Sequence, residues 1–209
     1  LKELNKAVAI APNDYDSYKE RANFYNELGE YKLALEDYSK CIELSPSYET
    51  AYLNRAGFYF DYDKLEEAFN DYSKVIKLNP NNIRAINNIA ILYEDQKRYN
   101  LAVIEYTRAI KLANLKSIVS SRYYRNRANV YEILQKDDSA LIDYNKAIEQ
   151  DPNDYYNFNY RGVFFENEDK YNLALVDYSK CIELAPGFAG GYNDRADIYR
   201  KYLDKPEMA

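Results

Sequence analysis

One sequence element recurs along this chain at a fixed interval. The segment Asp177–Pro186 is nearly a copy of Asp37–Pro46, and weaker copies occupy Asp71–Pro80 and Asp143–Pro152. The prolines that close these segments lie 34 residues apart, except for one interval of two such periods plus four residues. A fixed period of this length is typical of a chain that stacks copies of one small structural repeat, and it constrains the fold more than any other feature.

Each repeat holds two blocks in which apolar and small residues recur at spacings of three and four. In the repeat at 15–48, the first block ends before Gly29 and the second runs from Tyr31 to Ile42, with Pro46 after it. Such spacing predicts helices, since strands would alternate at every second residue. Glycine and proline mark a turn between the blocks and a stop after the second. Each repeat is therefore predicted to be a pair of antiparallel helices.

The closing prolines also set the boundaries of the repeats within a single array over 1–209. Residues 1–14 are predicted to be the second helix of a truncated repeat, and residues 189–203 the first helix of a further repeat or a helix that caps the stack. Four extra residues near 117–120 predict that the preceding helix runs on, that the next helix starts early, or that a longer loop intervenes. Residues 205–209 are interpreted as a tail. The complete repeats are expected at 15–48, 49–82, 83–116, 121–154 and 155–188.

The small and aromatic residues of the repeats resemble the pattern of the tetratricopeptide repeat family. Position 20 is alanine and position 24 is tyrosine in all five complete repeats. In the first complete repeat, the residues that carry the resemblance are Tyr18, Ala22, Tyr25, Ala34, Tyr38 and Pro46. The resemblance implies an all-α tetratricopeptide-repeat solenoid, a right-handed superhelix of antiparallel helix pairs. It also implies a concave groove lined by positions 2, 5, 6, 9, 12 and 13 of the first helices.

A polar pair stands inside this pattern. Position 7 is arginine in five first helices, where the family usually has an apolar residue, and position 23 is aspartate in four second helices. In the repeat at 83–116 both change together, to Ile89 and Glu105. We therefore predict an ion pair between the two helices of a repeat. Such a partly buried pair sets the register of the helices more than it adds stability.

Composition restricts the classes of partner. The formal net charge is −6, and we find no basic block. Nucleic acids and anionic membranes are bound through clustered lysine and arginine, so neither is expected as the main partner. No apolar run approaches the roughly 20 residues of a membrane span. Cys41 and Cys181 occupy the same position in two repeats, and they are predicted to be small buried side chains rather than a disulfide.

Nothing in the sequence predicts catalysis. The chain has no histidine, the commonest general base and zinc ligand, and its 6 glycines form no phosphate-binding loop. No enzyme activity, cofactor or metal site is expected. Because the chain starts at Leu1, in the middle of a repeat, the natural protein is expected to extend further at its N-terminus. The expected location is the cytoplasm.

The groove positions of the first three complete repeats partly resemble the carboxylate clamp of chaperone-binding tetratricopeptide domains. Three residues match the clamp by type, Arg84 keeps the charge of a clamp lysine, and Asn88 stands where the clamp has another cation. The resemblance implies binding of an acidic C-terminal tail, whose carboxylates accept hydrogen bonds from cations and amides. Apolar neighbours would hold an apolar side chain of the same peptide. The predicted peptide-binding residues are Lys19, Asn23, Asn54, Arg84, Asn88, Leu53, Phe60 and Ile91.

Farther along the chain, the groove positions fail the clamp pattern and predict a second ligand surface, formed by Arg122, Arg125, Asn129, Tyr156 and Asn159. The predicted function is that of a protein–protein interaction scaffold or adaptor, which holds a peptide or an extended segment of a partner protein in its groove. The alternative is a structural spacer or assembly subunit that binds through its convex face or its ends.

Overall fold

The computed structural model describes residues 1–201, with the backbone alone at Lys201. This part of the chain consists of α-helices joined by short turns and contains no β-strand, so the predicted all-α fold is confirmed. The helices are α1 Lys2–Ile10, α2 Tyr15–Glu27, α3 Tyr31–Leu44, α4 Glu49–Asp61, α5 Leu65–Leu78, α6 Ile83–Asp95, α7 Tyr99–Leu115, α8 Ser121–Ile133, α9 Asp137–Gln150, α10 Tyr155–Asn167, α11 Tyr171–Leu184 and α12 Ala189–Lys201.

The even-numbered helices are the first helices of the repeats, and each begins at the first residue expected for its repeat. The odd-numbered helices are the second helices. Two compact bodies divide the chain: the N-terminal body, Leu1–Leu92, and the C-terminal body, from Tyr93 onward. The end of the last helix expected at residue 203 and the tail at 205–209 lie outside the described residues. The assignment of 1–209 to one array stays a prediction.

Small residues let the two helices of a repeat approach closely. Where position 8 is glycine, at Gly162, an added Cβ would lie 2.7 Å from Cε1 of Tyr178. That distance is shorter than a real contact, so the tyrosine ring packs where only a glycine leaves room. The alanines at position 20 are all fully buried: Ala34, Ala68, Ala102, Ala140 and Ala174.

Both cysteines fill equivalent places between helices. Cys41 and Cys181 are buried free thiols. Burial raises the pKa of Cys41 to about 12 and that of Cys181 to about 11. Because the thiolate is the reactive form, both side chains act as packing groups at neutral pH.

A buried arginine–aspartate pair joins the two helices in four repeats. In the repeat at 49–82, Nε and Nη2 of Arg55 donate to the two carboxylate oxygens of Asp71, at 2.7 and 2.9 Å. A bidentate bond fixes the guanidinium and carboxylate planes relative to each other, and thereby the register of the helices. The same two-bond geometry is found in the pairs Arg21–Asp37, Arg127–Asp143 and Arg161–Asp177.

The remaining nitrogen of each arginine reaches the repeat before it. Nη1 of Arg127 donates to Oγ1 of Thr107 at 2.8 Å, and Nη1 of Arg161 donates to Oδ1 of Asn145 at 2.7 Å. Position 25 therefore supplies a hydroxyl or amide acceptor to the next repeat, which the sequence analysis missed. The equivalent acceptors are Asn5 for Arg21, Ser39 for Arg55 and Ser179 for Arg195.

The repeat at 83–116 lacks this arrangement, as its sequence indicated. Ile89 is buried where the other repeats have arginine. Glu105, at the aspartate position, instead forms an ion pair with Arg108 on its own helix, at 3.5 Å. The arginine and the aspartate are thus replaced together, so neither charge is left buried without a partner.

The turn inside each repeat requires one residue with a left-handed backbone. Gly29 has a φ of 74°, whereas the equivalent residues of the other repeats carry side chains and have a φ of 57°. A six-to-one hydrogen bond closes the helix end, as from Lys64 N to Tyr59 O at 2.8 Å. The glycine that predicted the turn is therefore the exception among the five turns. The other four residues are Asp63, Lys97, Gln135 and Asp169.

The irregular junction consists of a longer helix followed by an anchored loop. Helix α7 has 17 residues, against 14 in the equivalent helix α3, so the alternative in which the helix runs on is the one found. Asn114 stands at the closing-proline position and lies inside α7. Its side chain accepts a hydrogen bond from Ser120 Oγ at 3.0 Å and donates one to Tyr124 at 3.1 Å.

The last helix buries a residue other than those expected. We predicted an apolar face of Tyr192, Ala196, Tyr199 and Leu203, of which Leu203 lies outside the described residues. Tyr192 is 43% exposed, whereas Ile198 is fully buried and packs in the cluster around Tyr178.

Removing the aspartate of one buried pair should strongly destabilise the C-terminal body. For Asp143→Ala we expect a loss of about 3 kcal/mol in the free energy of unfolding, because Arg127 would be left buried without its carboxylate. The matched control is Glu105→Ala, at the same position, which should cost less than about 1 kcal/mol since its pair is more exposed. Urea unfolding curves measure both. Equal losses would contradict the structural role of the pair.

Two glycines with free space around them should respond in opposite ways to alanine. Gly29 and Gly187 both leave room for a Cβ, but only Gly29 has a positive φ. We expect Gly29→Ala to lower the free energy of unfolding by about 1 kcal/mol. Gly187→Ala should leave it unchanged or raise it by a few tenths of a kcal/mol, by restricting the unfolded chain. Thermal unfolding of both variants tests this, and a loss at Gly187 as large as at Gly29 would refute it.

The buried tyrosines should make stability fall at alkaline pH. Burial raises the pKa of Tyr38 and of Tyr72 to about 12, above the value of about 10 for an unfolded tyrosine. Between these values the unfolded chain releases phenolic protons that the native protein retains, so the free energy of unfolding decreases as pH rises from about 10 to about 12. Phenolate absorbance and circular dichroism follow the two events. Full ionisation of all tyrosines near pH 10 in a folded protein would disprove this.

Candidate peptide-binding face

The predicted groove positions of α2, α4 and α6 form what we call the N-terminal face. Lys19 is the one lysine among the predicted ligands, and it forms ion pairs with two carboxylates of its own helix. The Nζ atom lies 2.8 Å from Asp16 Oδ1 and 3.2 Å from Glu20 Oε1. These contacts, with Asp16 first, raise the pKa of Lys19. Because both carboxylates are exposed, the two ion pairs are weak, and a competing carboxylate can replace them.

The three amides of the N-terminal face differ in how far they are already used. Asn23 accepts a hydrogen bond from the hydroxyl of Tyr38 at 2.7 Å, which leaves its N–H groups available. Asn88 donates to the hydroxyl of Tyr72 at 2.8 Å and accepts from Asn87 at 3.1 Å. The side chain of Asn54 has no hydrogen bond to any residue between 1 and 201. Asn23 and Asn54 thus keep both side-chain N–H donors unused, whereas Asn88 keeps one.

Arg84 and Asn88 lie together around the hydroxyl of Tyr72. Burial raises the pKa of this tyrosine, the hydrogen bond from Asn88 lowers it, and the charges of Asp61 and Arg84 act in opposite directions. Arg84 is exposed, and no side chain in the described part of the protein pairs with it. The guanidinium is therefore available to a ligand.

The apolar residues of this face are largely covered. Leu53 is 8% exposed, while Phe60 and Ile91 are half-buried. Gly57, one turn after Leu53, has free space beside it, since an added Cβ would meet only the Tyr72 hydroxyl, at 3.9 Å. The lack of a side chain at Gly57 thus leaves a shallow depression on this face.

An acidic residue that the sequence analysis overlooked also belongs to this face. Asp61, at position 13 of its repeat, is exposed, and its charge contributes to the raised pKa of both Tyr38 and Tyr72. It is therefore near both hydroxyls. A negative charge there opposes the binding of an acidic ligand.

The C-terminal body uses the equivalent tyrosines differently. The hydroxyls of Tyr106, Tyr144 and Tyr178 each donate to a glutamate at position 12 of the preceding helix, at 3.0, 3.1 and 2.7 Å. Two of these glutamates also accept a bond from an asparagine of the next repeat. Acidic residues at position 12 in three successive repeats were a signal that the sequence analysis missed. They are Glu94, Glu132 and Glu166.

The residues of the predicted second surface mostly bind neighbouring helices. Arg125 is only 9% exposed and donates to Asp154 at 2.7 Å and to Asn157 at 2.6 Å. Asn129 donates to Glu94 and Asn159 to Asp194, both at 2.9 Å.

Two residues of that surface remain open to solvent. Tyr156 is 42% exposed and stacks on Tyr155 with ring centroids 4.2 Å apart. Arg122 is exposed and lies 5.6 Å from the ring of Tyr123. The predicted second surface therefore offers one exposed cation and one partly exposed ring, and the rest of its polar groups already join consecutive first helices.

Residues 1–201 contain neither a metal-binding cluster nor a helix suited to a membrane. No group of three or more cysteine, aspartate or glutamate side chains within 1–201 could hold a metal ion. Among the helices given above, none has both the length and the apolar composition needed to cross a membrane.

Comparison with known structures shows the fold. YrrB, described as a tetratricopeptide repeat protein with an unusual peptide-binding site, is 22% identical, with 91% of this chain and 96% of that chain covered and a TM-score of 0.63. PilF of Pseudomonas aeruginosa is 21% identical, with 92% of this chain and 95% of that chain covered and a TM-score of 0.70. The C-terminal part of a tetratricopeptide repeat-containing protein from Cytophaga hutchinsonii is 19% identical, with 99% of this chain and 84% of that chain covered and a TM-score of 0.73.

Comparison with curated proteins found no match. Sequence profiles of the tetratricopeptide repeat match residues 15–48, 58–97, 83–114 and 121–154, which together cover more than half of the chain. With its all-α helical-repeat solenoid, this chain belongs to the tetratricopeptide repeat family.

Proposed function

We propose that this chain is a protein–protein interaction scaffold or adaptor whose N-terminal face binds the acidic C-terminal tail of a partner protein. Members of the family generally mediate protein–protein interactions. One observation carries the finer proposal: hydrogen-bond donors on this face lack partners in the protein. The amide of Asn54 and the guanidinium of Arg84 have none among the described residues, whereas Arg125, Asn129 and Asn159, at groove positions of the C-terminal body, are bonded to neighbouring helices.

Carboxylates suit these donors. A terminal carboxylate and a neighbouring acidic side chain present up to four acceptor oxygens, and bonds to a charged guanidinium are among the strongest available. Arg84 and Asn54 would bind first, because they give up no existing bond. Lys19 would exchange Asp16 and Glu20 for the ligand, at little cost since those pairs are exposed.

Several features suggest modest affinity. Asn88 has only one N–H left for a ligand, because its other N–H donates to Tyr72 and its oxygen accepts from Asn87. Asp61 adds an opposing charge. Leu53, Phe60 and Ile91 would contact an apolar side chain of the tail through their exposed parts. The likeness to YrrB, itself described as having a peptide-binding site, adds support for a peptide ligand.

Loss of the two cations should strongly weaken binding of an acidic tail. For Lys19→Ala combined with Arg84→Ala, we expect the affinity for an acidic peptide with a free terminal aspartate to fall at least about tenfold. Amidation of the terminal carboxylate should have a similar effect on the unmodified protein. Fluorescence polarisation with a labelled peptide measures both. The matched control is Lys40→Ala with Lys74→Ala, which removes the same charge from the second helices and should leave the affinity unchanged.

A gain of affinity provides an independent test. Asp61→Asn removes the opposing charge without changing the shape of the side chain, so it should strengthen binding of the same peptide severalfold, most clearly at low salt. Unchanged affinity in the double alanine variant together with no gain in Asp61→Asn would leave the alternative, a structural spacer or assembly subunit, as the better account.

A further inference from the structure

One segment of this chain carries only positive charges, although the net charge of the chain is negative. Between residues 106 and 131 there are six cationic residues and no acidic one, in a chain of net charge −6. The segment covers most of α7, the junction loop and most of α8. Apolar residues separate the cations, which is why no basic block is evident from the sequence. The six are Arg108, Lys111, Lys116, Arg122, Arg125 and Arg127.

Three of these cations have no counter-charge. Lys111, Lys116 and Arg122 are exposed, and none of them forms an ion pair with any residue of the described chain. In three other second helices, by contrast, one lysine is paired with a glutamate three residues later. These pairs are Lys40–Glu43, Lys146–Glu149 and Lys180–Glu183, at 2.6 to 2.8 Å.

Large apolar residues are exposed beside the free cations. Leu115 is 74% exposed, Ile118 45% and Val119 60%. A single exposed apolar residue is ordinary on a protein surface, but three within five positions form a patch that marks an interaction site. We call Lys111, Leu115, Lys116, Ile118, Val119 and Arg122 the junction surface.

The loop holds these side chains outward in a defined way. The Ile118 N–H donates to Ala113 O at 2.9 Å, which closes the end of α7. Ser120 is buried, and its hydroxyl bonds to Asn114 at 3.0 Å. Because both ends of the loop are tied down, Ile118 and Val119 are presented to solvent without access to a core position.

A cavity adjoins the apolar patch. Its volume is about 450 Å³, and both Lys111 and Leu115 contribute to its wall. The other wall residues are Thr107, Ile110, Asn114 and Arg127. This space accepts a large apolar side chain against Ile110 and Leu115, with a cation at its rim.

We propose that the junction surface is a docking site for an acidic segment of a partner protein that inserts one large apolar side chain into this cavity. Carboxylates of the segment neutralise Lys111, Lys116 and Arg122, and its apolar residue covers Leu115. Duplex nucleic acid supplies the charge, but the apolar faces of its bases are stacked inside the helix and are not available to the cavity. An anionic membrane is bound through clusters of roughly four to eight Lys and Arg residues, more than the three unpaired cations of this surface.

The test is a differential selection from a displayed library of random peptides. Peptides are selected on the unmodified chain and counter-selected on a variant with Lys111→Glu, Leu115→Asp and Lys116→Glu. We expect the selected peptides to carry Asp or Glu around a large apolar residue. Synthetic copies should bind the variant at least about tenfold more weakly in fluorescence polarisation.

The matched control carries changes of the same kind on other second helices, Ile142→Asp, Lys74→Glu and Lys77→Glu, since these two lysines are also exposed and form no ion pair with any described residue. Ile142 is 62% exposed, as suits an equivalent surface change. This control should bind the selected peptides like the unmodified chain, and circular dichroism should show that both variants are folded. Failure to select any variant-sensitive peptide, or selection of basic ones, would overturn the proposal. The proposal would also be overturned if phosphatidylserine vesicles or single-stranded DNA, but no peptide, bound the unmodified chain more tightly than the variant.

Discussion

The stacking of the repeats depends on the hydrogen bonds of the arginine at position 7. Two of its nitrogens bind the aspartate of the partner helix, and the third binds the preceding repeat, so one side chain connects three helices. A guanidinium suits this role because its donors lie in one plane and point in fixed directions. Alanines at position 20 then allow the helices to approach, and tyrosines at position 24 fill the remaining space.

Much of this fold could be predicted from local pattern. Prolines and the spacing of apolar residues located the first residue of every first helix, because a helix start depends on nearby residues alone. The acceptors at position 25 could not be recognised in the same way, since Ser39, Thr107 and Asn145 differ in type and share only a hydrogen-bonding group. The turns show the same limit: Gly29 was the signal, yet four other turns adopt its backbone with a side chain.

The candidate site was less predictable, because availability depends on neighbours rather than on residue type. Lys19 and Asn88 were chosen for their chemistry, but the fold gives each of them partners inside the protein. Arg84 and Asn54 were chosen on the same grounds and remain free. The two bodies also differ in a way that composition conceals: glutamates accept the tyrosine hydroxyls in one, whereas amides bond to them in the other.

The bond from position 7 to position 25 has a consequence for how such a chain can grow. A repeat that carries the arginine needs an acceptor in the repeat that precedes it. In each repeat of this chain, the second helix has a serine, threonine or asparagine at position 25. Any repeat could therefore be copied in tandem by gene duplication without leaving a guanidinium nitrogen unbonded. Among the described first helices, only that of the repeat at 83–116 has no arginine at position 7, so it needs no acceptor from the preceding repeat. This repeat could therefore follow one of unrelated origin.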